Sequence, residues 1–431
     1  MAHAVVVGAG VAGISAAIHL TQRGWRVTLV EARSTVGGRA TSVWDEVAGE
    51  FVDCGQHVFL GAYRELRGLL HILQTHPFAG PGERLRFLFC NGVQSFLFDA
   101  GRLPGPLGFL AALRHIPGLS CRDYEHLLRG LLRLLLFGNA EMTVAAFLRR
   151  FRQAEPAIAA FWKPLTFATM NAAPEEAALS LLQVVLRQGF FRGTEAARFF
   201  VPQRALVELF QPVGEWLVRH GGELRLRTVV RGLVFHGSGI RGVLTTTGEC
   251  IRADAVVVAT PPWTLPYLIP ALQRVPAYAE FFRTAQYSPI VTIYLWLKEP
   301  VLPAAICAFP HPDLHWAFRR PTQYAAESVA LLVSAAEHLV SLPRRQLLER
   351  CFAAFASAVP SFRSELVLHF RLMLERRATL RLTPQLQALR PDGMTPWRNL
   401  VLAGDWVQTG LPCTLESAAR SGRAAAERLM L

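Results

Sequence analysis

The hydrophobic and polar positions at the start of the chain predict a strand, a helix and a second strand. Residues 4–7 form a short β-branched run, which is typical of a strand buried in a parallel sheet. Residues 14–22 follow with helical periodicity, and Gly24 stands where a glycine commonly ends a helix. A second apolar run at 25–30 predicts the next strand, which ends on Glu31. The opening pattern therefore indicates a β-α-β unit.

Apolar patterns elsewhere in the chain predict further elements. The stretch 399–405 reads as a buried strand, followed by a loop with glycine and proline and by a helix of small residues that starts near Thr414. The apolar stretch 287–297 predicts a strand of a second sheet. Leucine-rich helical faces alternate with arginines through 103–137, and prolines and glycines interrupt them. This composition is typical of a core helix or of an element lying in a membrane surface, and both interpretations stay open.

Three glycines occupy the turn between the first strand and the helix. Gly8, Gly10 and Gly13 form the pattern G-x-G-x-x-G, and Glu31 closes the following strand. The first glycine permits the tight turn, the second lets a pyrophosphate approach the backbone, and the third lets the helix pack close to the sheet. The helix N-terminus offers free N–H groups to phosphates, and an acid at this spacing binds ribose hydroxyls. The motif predicts a dinucleotide site but does not distinguish NAD from FAD.

Two further polar segments follow the motif. Gly38 and Arg39 lie in a G-G-R sequence, in which glycine frees the backbone to pass close to a ligand and the arginine can neutralise a second phosphate face. Gln56 and His57 lie in a turn with glycine and cysteine, shortly before Tyr63. An isolated histidine is more often structural than catalytic. Because glycine, glutamine and cysteine surround this one in a polar turn, the segment indicates a ligand pocket.

Composition narrows the class of protein. The 431 residues, of which 52% are hydrophobic, are enough for a large core and two domains. No apolar run reaches the roughly 18 residues of a membrane-spanning helix, so a soluble protein or one bound at a membrane surface is expected. The seven cysteines include no C-x-x-C pair. Their spacing favours a reducing compartment, the cytoplasm, over a disulfide framework or a zinc site.

The charge balance indicates which partners to expect. The formal net charge is +13, and only two of the basic residues, Lys163 and Lys298, are lysines. Such an arginine-rich chain reflects either genome base composition or an anionic partner surface. The chain has no compact basic run and no nucleic-acid motif. A membrane surface is therefore a better-supported partner than nucleic acid.

The sequence resembles the superfamily of FAD-dependent amine oxidases and phytoene desaturases. The resemblance comprises the glycine motif with its acid, the G-G-R sequence, the middle segment 221–262 and the closing sequence 402–406. It implies FAD as cofactor and an α/β fold, with a Rossmann-like FAD-binding domain and an inserted α+β substrate domain. The FAD contacts that it implies are Gly8, Gly10, Gly13, Glu31, Gly38, Arg39, Val230, Gly404, Asp405 and Thr414.

The later contacts have roles that the resemblance implies. The backbone of Val230 would reach the adenine, and Asp405 would hold the ribityl or pyrophosphate region. The helix that starts near Thr414 would direct its N–H groups to the flavin O2 side, where reduced flavin is negatively charged. Both chain ends would thus converge on one extended cofactor. The FAD-binding domain would comprise 1–68, 200–262 and 392–431, and the substrate domain 69–199 and 263–391.

A narrower resemblance lies in the sequence VDCGQHVFLGAY at 52–63, which is similar to the squalene-associated FAD-dependent proteins, or hydroxysqualene dehydroxylases. It implies reductive removal of an allylic hydroxyl from hydroxysqualene to give squalene, in hopanoid biosynthesis. His57 is the first candidate proton donor and Tyr63 the second, while Gln56 would orient the flavin edge or the hydroxyl. A carotenoid or phytoene-type desaturase is the alternative. An amine oxidase would need a lysine near the flavin, and neither lysine has that context.

The resemblance also implies partners. A long isoprenoid substrate partitions into lipid, so the enzyme would dock on a bilayer or on the upstream prenyl-condensing enzymes. The helical stretch 103–137 supplies candidate membrane-facing helices, with arginines reaching the headgroups. The positive net charge would favour an anionic leaflet. A cytoplasmic protein, peripheral on the inner face of the cytoplasmic membrane, is the expectation.

Overall fold

The computed structural model describes residues 1–75, 85–91, 94–101, 105–137, 141–202 and 204–429. The strands within these ranges are β1 (His3–Val7), β2 (Arg26–Val30), β3 (Ser42–Asp45), β4 (Glu50–Asp53), β5 (Phe59–Leu60), β6 (Arg86–Asn91), β7 (Gln94–Asp99), β8 (Phe199–Phe200), β9 (Glu223–Arg225), β10 (Val230–His236), β11 (Gly239–Thr245), β12 (Cys250–Arg252), β13 (Ala255–Val258), β14 (Tyr287–Leu297), β15 (Ile306–His311), β16 (Leu314–Arg320), β17 (Glu327–Ser334), β18 (Val367–Leu380) and β19 (Leu400–Leu402).

The α-helices are α1 (Val11–Gln22), α2 (Arg64–Ile72), α3 (Gly105–Leu113), α4 (Cys121–Leu136), α5 (Val144–Arg150), α6 (Glu155–Ala157), α7 (Lys163–Met170), α8 (Leu179–Val185), α9 (Leu206–Phe210), α10 (Val213–Arg219), α11 (Leu265–Leu268), α12 (Pro276–Thr284), α13 (Glu337–Val340), α14 (Arg344–Ala358), α15 (Pro384–Leu389) and α16 (Leu415–Arg428). Two π-helical turns, Ile158–Trp162 and Leu186–Phe190, and three 3₁₀ turns, Pro262–Thr264, Pro270–Arg274 and Ser364–Leu366, adjoin or separate them.

A five-stranded sheet brings the two ends of the chain together. Its strand order is β19-β13-β1-β2-β9, and every neighbouring pair is parallel. In the register of this sheet Val5 pairs with Val256, and Val257 pairs with Val401. These valines are buried because both faces of a parallel sheet are covered, which explains their continuous apolar runs. The predicted α/β class and the strands predicted at 4–7, 25–30 and 399–405 are confirmed, although β2 ends one residue before Glu31.

Helices α1 and α16 cover this sheet and pack against each other through small residues. A Cβ atom on Gly422 would lie 2.1 Å from the carbonyl oxygen of Ala12, so only glycine lets the helices approach this closely. The hydroxyl of Ser15 donates to the carbonyl of Ala419 at 2.7 Å. Within the first turn, a Cβ atom on Gly13 would lie 1.8 Å from the carbonyl oxygen of Gly8. The third glycine of the motif thus has the packing role that its position predicts.

Gly422→Ala is expected to lower the free energy of unfolding by about 1–3 kcal/mol, because the added methyl group must separate two packed helices. The matched control is Gly68→Ala in α2, where the new Cβ would meet nothing within 4 Å. That variant should be neutral or gain up to about 1 kcal/mol from helix propensity. Chemical denaturation of both purified variants measures the difference. Equal stability of the two variants would contradict the packing interpretation.

A second, seven-stranded sheet has the order β18-β14-β17-β16-β15-β6-β7. Its pairs are antiparallel except for β15 with β6. The predicted strand at 287–297 is confirmed as β14, which pairs with β17 and β18. Every strand of the five-stranded sheet comes from the segments predicted to bind FAD, and every strand of the seven-stranded sheet comes from the other segments. We propose the division into two discontinuous domains on this basis.

The leucine-rich stretch 103–137 forms α3 and α4, while its residues 103 and 104 lie outside the described part of the chain. Helix α4 begins with a capping box in which Ser120 and Asp123 exchange hydrogen bonds. One face of α4 is buried in the core through Leu127, Leu131 and Leu134. Its C-terminal end, by contrast, leaves several large apolar side chains exposed. The core interpretation therefore describes the buried face of α4, while the membrane-surface interpretation stays a prediction.

Candidate cofactor and active site

The turn between β1 and α1 forms an open backbone cradle. Gly8 has a φ of +101°, and a Cβ atom there would lie 2.8 Å from the carbonyl oxygen of Ala259. Gly38 passes so close to the turn that its Cβ would lie 3.1 Å from the Cα atom of Gly10. The N–H groups of Ala12 and Gly13 have no hydrogen-bond partner among the described residues. They lie at the positive end of the dipole of this twelve-residue helix, where a phosphate would be stabilised.

Glu31 lies buried beside the cradle, at the carboxyl end of the sheet. Its carboxylate accepts hydrogen bonds from the N–H groups of Ala9 at 2.7 Å and Arg33 at 2.9 Å. Its own carbonyl accepts from the N–H of Thr228 at 2.9 Å. This bond brings the segment that leads into Val230 next to the acid. The structure therefore places Glu31 beside the segment that leads into Val230, the other residue predicted for the adenosine half of the cofactor.

Arg39 and Asp405 form an ion pair across the chain. A guanidinium nitrogen of Arg39 lies 2.5 Å from a carboxylate oxygen of Asp405, and a second nitrogen donates to the carbonyl of Ala378 at 2.5 Å. Burial disfavours the charged guanidinium, but the adjacent carboxylate outweighs it and raises the pKa of Arg39. Gly404 is required before Asp405, because a Cβ atom there would lie 2.2 Å from Nε1 of Trp406. Three distant segments thus meet at one charged contact.

The N-terminus of α16 lies in the same region. Thr414 caps this helix, and its hydroxyl accepts from the N–H of Ser417 at 3.2 Å. The N–H groups of Leu415 and Glu416 have no partner among the described residues. The predicted helix start near Thr414 is therefore confirmed, and it offers free donors to an anionic group.

Arg390 holds the loop that leads to α16, and sequence reasoning did not find it. This arginine is buried, and it is not in a salt bridge within the described part of the chain. Burial lowers the pKa of its guanidinium. Its nitrogens donate to the side-chain oxygen of Gln387 and to the carbonyls of Asp405, Trp406, Val407 and Leu411, at 2.7 to 3.1 Å. One side chain thus fixes the backbone from the cofactor acid into the following loop.

The segment 53–63 places the candidate catalytic residues. The Nδ1 atom of His57 donates to the carbonyl of Gly55 at 2.6 Å, which leaves the lone pair on Nε2. Burial lowers the pKa of His57 despite the opposing charge of Asp53, so the imidazole is neutral at neutral pH. The side-chain amide of Gln56 donates to the carbonyl of His57 at 3.2 Å. His57 therefore presents a hydrogen-bond acceptor in its resting state.

Tyr63 is in contact with the predicted flavin-side helix. Its hydroxyl lies beside the side chain of Thr414, and burial raises its pKa well above the ordinary value. The N–H groups of the next three residues, at 64–66, donate to the carboxylate of Glu416 at 3.0 to 3.1 Å. Helix α2 is thereby fastened to the start of α16. Residues predicted separately for catalysis and for cofactor binding are thus brought together here.

An aromatic wall that carries no sequence motif adjoins the ion pair. The rings of Trp263 and Tyr287 lie 4.9 Å apart, edge to face. The guanidinium of Arg377 lies 5.1 and 5.7 Å from the two ring centres. Arg377 directly precedes Ala378, whose carbonyl binds Arg39. Burial raises the pKa of Tyr287 to about 12.

Cys413, next to Thr414, and the two lysines that the sequence singled out have structural surroundings. Burial raises the pKa of the Cys413 thiol to about 12, and this thiol accepts the N–H of Leu380, which suits a packing residue. Lys163 begins α7 and lies near His315. Lys298 follows β14, and its N–H donates to the carbonyl of Leu366. Neither lysine is among the contacts of Arg39 or Asp405.

These residues fit an extended dinucleotide with a flavin. The glycine cradle and the free N–H groups of α1 suit a pyrophosphate, and Glu31 suits a ribose. Arg39 with Asp405 suits the middle of the cofactor. The N-terminus of α16 suits the electron-rich end of a flavin ring.

The comparisons with known proteins agree with this geometry. The family of flavin containing amine oxidoreductases matches residues 11–430. The hydroxysqualene dehydroxylase of Rhodopseudomonas palustris is 30% identical, over 99% of this chain and 97% of the relative. The hydroxysqualene dehydroxylase of Zymomonas mobilis is 28% identical, over 98% of this chain and 97% of the relative.

More distant similarities also extend over almost the whole of this chain. The 15-cis-phytoene desaturase of Narcissus pseudonarcissus is 24% identical, over 99% of this chain and 79% of the relative. An oxidoreductase from Methanosarcina mazei has the same fold, with a TM-score of 0.78 over 99% of this chain and all of that one, at 15% identity. The chain belongs to the family of flavin containing amine oxidoreductases and is an FAD-dependent oxidoreductase.

Proposed function

We propose that this chain is a hydroxysqualene dehydroxylase, which removes the allylic hydroxyl of hydroxysqualene and gives squalene. The observation that carries the proposal is the contact between Tyr63 and Thr414. It folds the segment 52–63, which carries the dehydroxylase resemblance, against the helix predicted for the flavin. The similarity to dehydroxylases over almost the full chain supports the same assignment.

The reaction exchanges a carbon–oxygen bond for a carbon–hydrogen bond. The substrate alcohol gains a hydride and a proton, and it loses water. FAD, when bound and reduced, supplies the hydride. Hydroxide is a poor leaving group, so the protein must hold a proton donor at the leaving oxygen. It must also exclude water, because an electron-deficient allylic carbon would otherwise be hydrated.

Two side chains can perform the proton step, in different protonation states. His57 is neutral at rest, so its Nε2 can accept a hydrogen bond from the substrate hydroxyl, and it becomes an acid only after protonation. The hydroxyl of Tyr63 carries its proton throughout the neutral range, because burial disfavours the phenolate. We propose His57 as the acid and keep Tyr63 as the second candidate.

His57→Ala is expected to retain FAD but to lower turnover at pH 7 by at least about 100-fold. In the wild type, turnover should rise as the pH falls below about 6.5, since the lowered pKa of His57 leaves little acid form at neutral pH. Stability should fall over the same interval, because protonation of a buried neutral histidine favours the unfolded chain. Stopped-flow flavin reoxidation measures the pH profile. Unchanged turnover in His57→Ala would remove His57 from the chemistry. Tyr63→Phe, with the imidazole intact, tests the second candidate.

A carotenoid-type desaturase is the second candidate, which the similarity to a 15-cis-phytoene desaturase favours. It would run the flavin chemistry in the oxidative direction on a related isoprenoid. The two functions differ in the redox state of FAD that reacts with the substrate: reduced FAD in the dehydroxylase and oxidised FAD in the desaturase. A flavin amine oxidase is less consistent with the site, since both lysines lie elsewhere.

We propose that the surface formed by α3 and the end of α4 rests on an anionic bilayer at the inner face of the cytoplasmic membrane. Leu107, Leu132, Leu136 and Phe137 are each between 57% and 61% exposed there. The guanidinium of Arg133 lies 4.2 Å from the ring centre of Phe137, where it could reach lipid phosphates. None of the helices in the described ranges is long and apolar enough to cross a membrane. The enzymes that produce the substrate are the other candidate partner.

Leu132→Ser combined with Leu136→Ser is expected to weaken binding to anionic vesicles by at least about tenfold, because apolar side chains no longer enter the acyl region. The matched control combines Val218→Ser with Tyr267→Ser, which are 66% and 80% exposed on other helices. Vesicle co-sedimentation measures both variants. Equal losses in the two would show that general surface hydrophobicity, rather than this surface, drives binding.

A further inference from the structure

A surface cavity of about 420 Å³ lies between the start of α2 and the loop after the second π-helical turn. Three arginines, Arg64, Arg67 and Arg192, line it together with the polar side chains of Gln188 and Thr194. The site described above does not use any of these side chains. Their convergence on a concave surface creates a positive potential that favours an anionic ligand.

The charge of the cavity is not neutralised from within. Neither Arg64, Arg67 nor Arg192 forms a salt bridge within the ranges that the structure describes. The acid in the lining, Glu195, instead binds Arg198 at 2.9 Å. Glu65, which directly follows Arg64 in the first turn of α2, binds Arg423 at 3.2 Å. The nearby carboxylates are therefore engaged elsewhere.

Close backbone contacts hold the walls of the cavity in place. The N–H of Gly61 donates to the carbonyl of Arg198 at 2.8 Å, and that of Ala62 donates to the carbonyl of Ala196 at 3.2 Å. A Cβ atom on Gly61 would lie 1.8 Å from the carbonyl oxygen of Glu195, so glycine is needed for this approach. Arg67 donates to the carbonyl of Gly61 at 3.3 Å, which orients its guanidinium.

The cavity adjoins the flavin side of the active site. Tyr63, which contacts Thr414, lies between the lining residues Ala62 and Arg64. The N–H of Arg64 donates to the carboxylate of Glu416, in the first turn of α16. An anion bound in the cavity would thus contact the residues that flank Tyr63, whose side chain reaches the cofactor region.

We propose that this arginine-lined cavity binds the phosphate groups of a reduced nicotinamide dinucleotide that supplies electrons to FAD. The proposal rests on the proposed function, because a reductive dehydroxylation consumes one reduced cofactor in each turnover. The dinucleotide gives a hydride, and with one proton from solvent it restores the reduced cofactor and leaves in its oxidised form. Arginines are suited to phosphates because the guanidinium donates two parallel hydrogen bonds.

The test compares purified holoenzyme with the double variant Arg64→Gln/Arg192→Gln. The matched control is Arg231→Gln/Arg241→Gln, which removes the same charge from exposed positions on β10 and β11. Calorimetry with inorganic diphosphate measures the anion site, and anaerobic flavin reduction by NADPH and NADH measures electron supply. Loss of two charged phosphate contacts should weaken diphosphate binding by at least about tenfold in the cavity variant alone. Reduction by the dinucleotide should slow in the same variant.

Two outcomes distinguish the source of the phosphate. Reduction that depends on the cavity arginines supports a dinucleotide site. Diphosphate binding without any reduction by dinucleotide, together with cavity-dependent binding to anionic vesicles, would overturn the dinucleotide and indicate a lipid headgroup. Diphosphate binding that is absent, or equal in both double variants, would overturn the anion site itself. Turnover of light-reduced enzyme does not need the cavity, so its failure would instead contradict the proposed function.

Discussion

Arg39→Ala should release FAD from a protein that otherwise remains folded. Arg39 joins the G-G-R segment to Asp405 and to the carbonyl of Ala378, so its loss removes a cationic contact from the middle of the cofactor site. It also leaves the carboxylate of Asp405 buried without its cation. Charge-assisted hydrogen bonds contribute about 1.5–3 kcal/mol each, so FAD affinity should fall by about 10- to 150-fold.

The flavin absorbance of the purified variant and its FAD titration measure this effect. Arg376→Ala is the matched control, because Arg376 is exposed on β18, two residues before Ala378, and its guanidinium donates to the carbonyl of Val340. Asp405→Asn should lose FAD in the same way as Arg39→Ala. An Arg39→Ala protein that remains fully yellow would exclude Arg39 from the cofactor site.

Arg390→Met should have the second large effect, on stability and on FAD retention together. The substitution keeps an apolar stem but removes every donor to the four backbone carbonyls of the 405–411 loop. Buried carbonyls left without a partner each cost about 1–3 kcal/mol, so the free energy of unfolding should fall by at least about 3 kcal/mol. The loop carries Asp405 and leads to Thr414, so the holoenzyme should lose FAD as well.

Thermal unfolding of the apo and FAD-bound forms measures this variant. Arg390→Lys should be intermediate, since lysine keeps the charge but presents three donors instead of five. Arg274→Met, at an exposed position, is the control for a general loss of charge. A wild-type melting temperature and FAD content in Arg390→Met would show that the loop holds its shape without the guanidinium.

Local signals in the sequence predicted the cofactor half of the molecule. The glycine motif and its acid lie within the first 31 residues, and two of the glycines are required by steric contacts, Gly8 with Ala259 and Gly13 with Gly8. Thr414 caps α16 because its hydroxyl accepts from the N–H of Ser417, as a threonine before a helix commonly does. Continuous apolar runs predicted β1, β14 and β19 because burial in a sheet requires apolar side chains.

Contacts between distant segments were not predictable in this way. Arg390 lies in a stretch without a motif, and its role depends on carbonyls that only the folded loop presents. Arg377, Trp263 and Tyr287 come from three separate elements. Their contacts therefore follow no spacing pattern along the chain. The neutral state of His57 also follows from burial rather than from its neighbours in sequence. The sequence therefore predicted which segments build the site, but not how their side chains are charged and held.

A single anaerobic turnover is the most direct test of whether reduced FAD in this enzyme converts hydroxysqualene to squalene. The bound FAD is reduced by light, hydroxysqualene is added in detergent, and the visible spectrum is followed while the products are extracted. We expect the oxidised flavin spectrum to return, with one squalene formed for each FAD that is reoxidised. Flavin that stays reduced in a folded enzyme, with hydroxysqualene unchanged, would contradict the dehydroxylase function and favour the desaturase, which would instead consume oxidised flavin with a phytoene-like substrate.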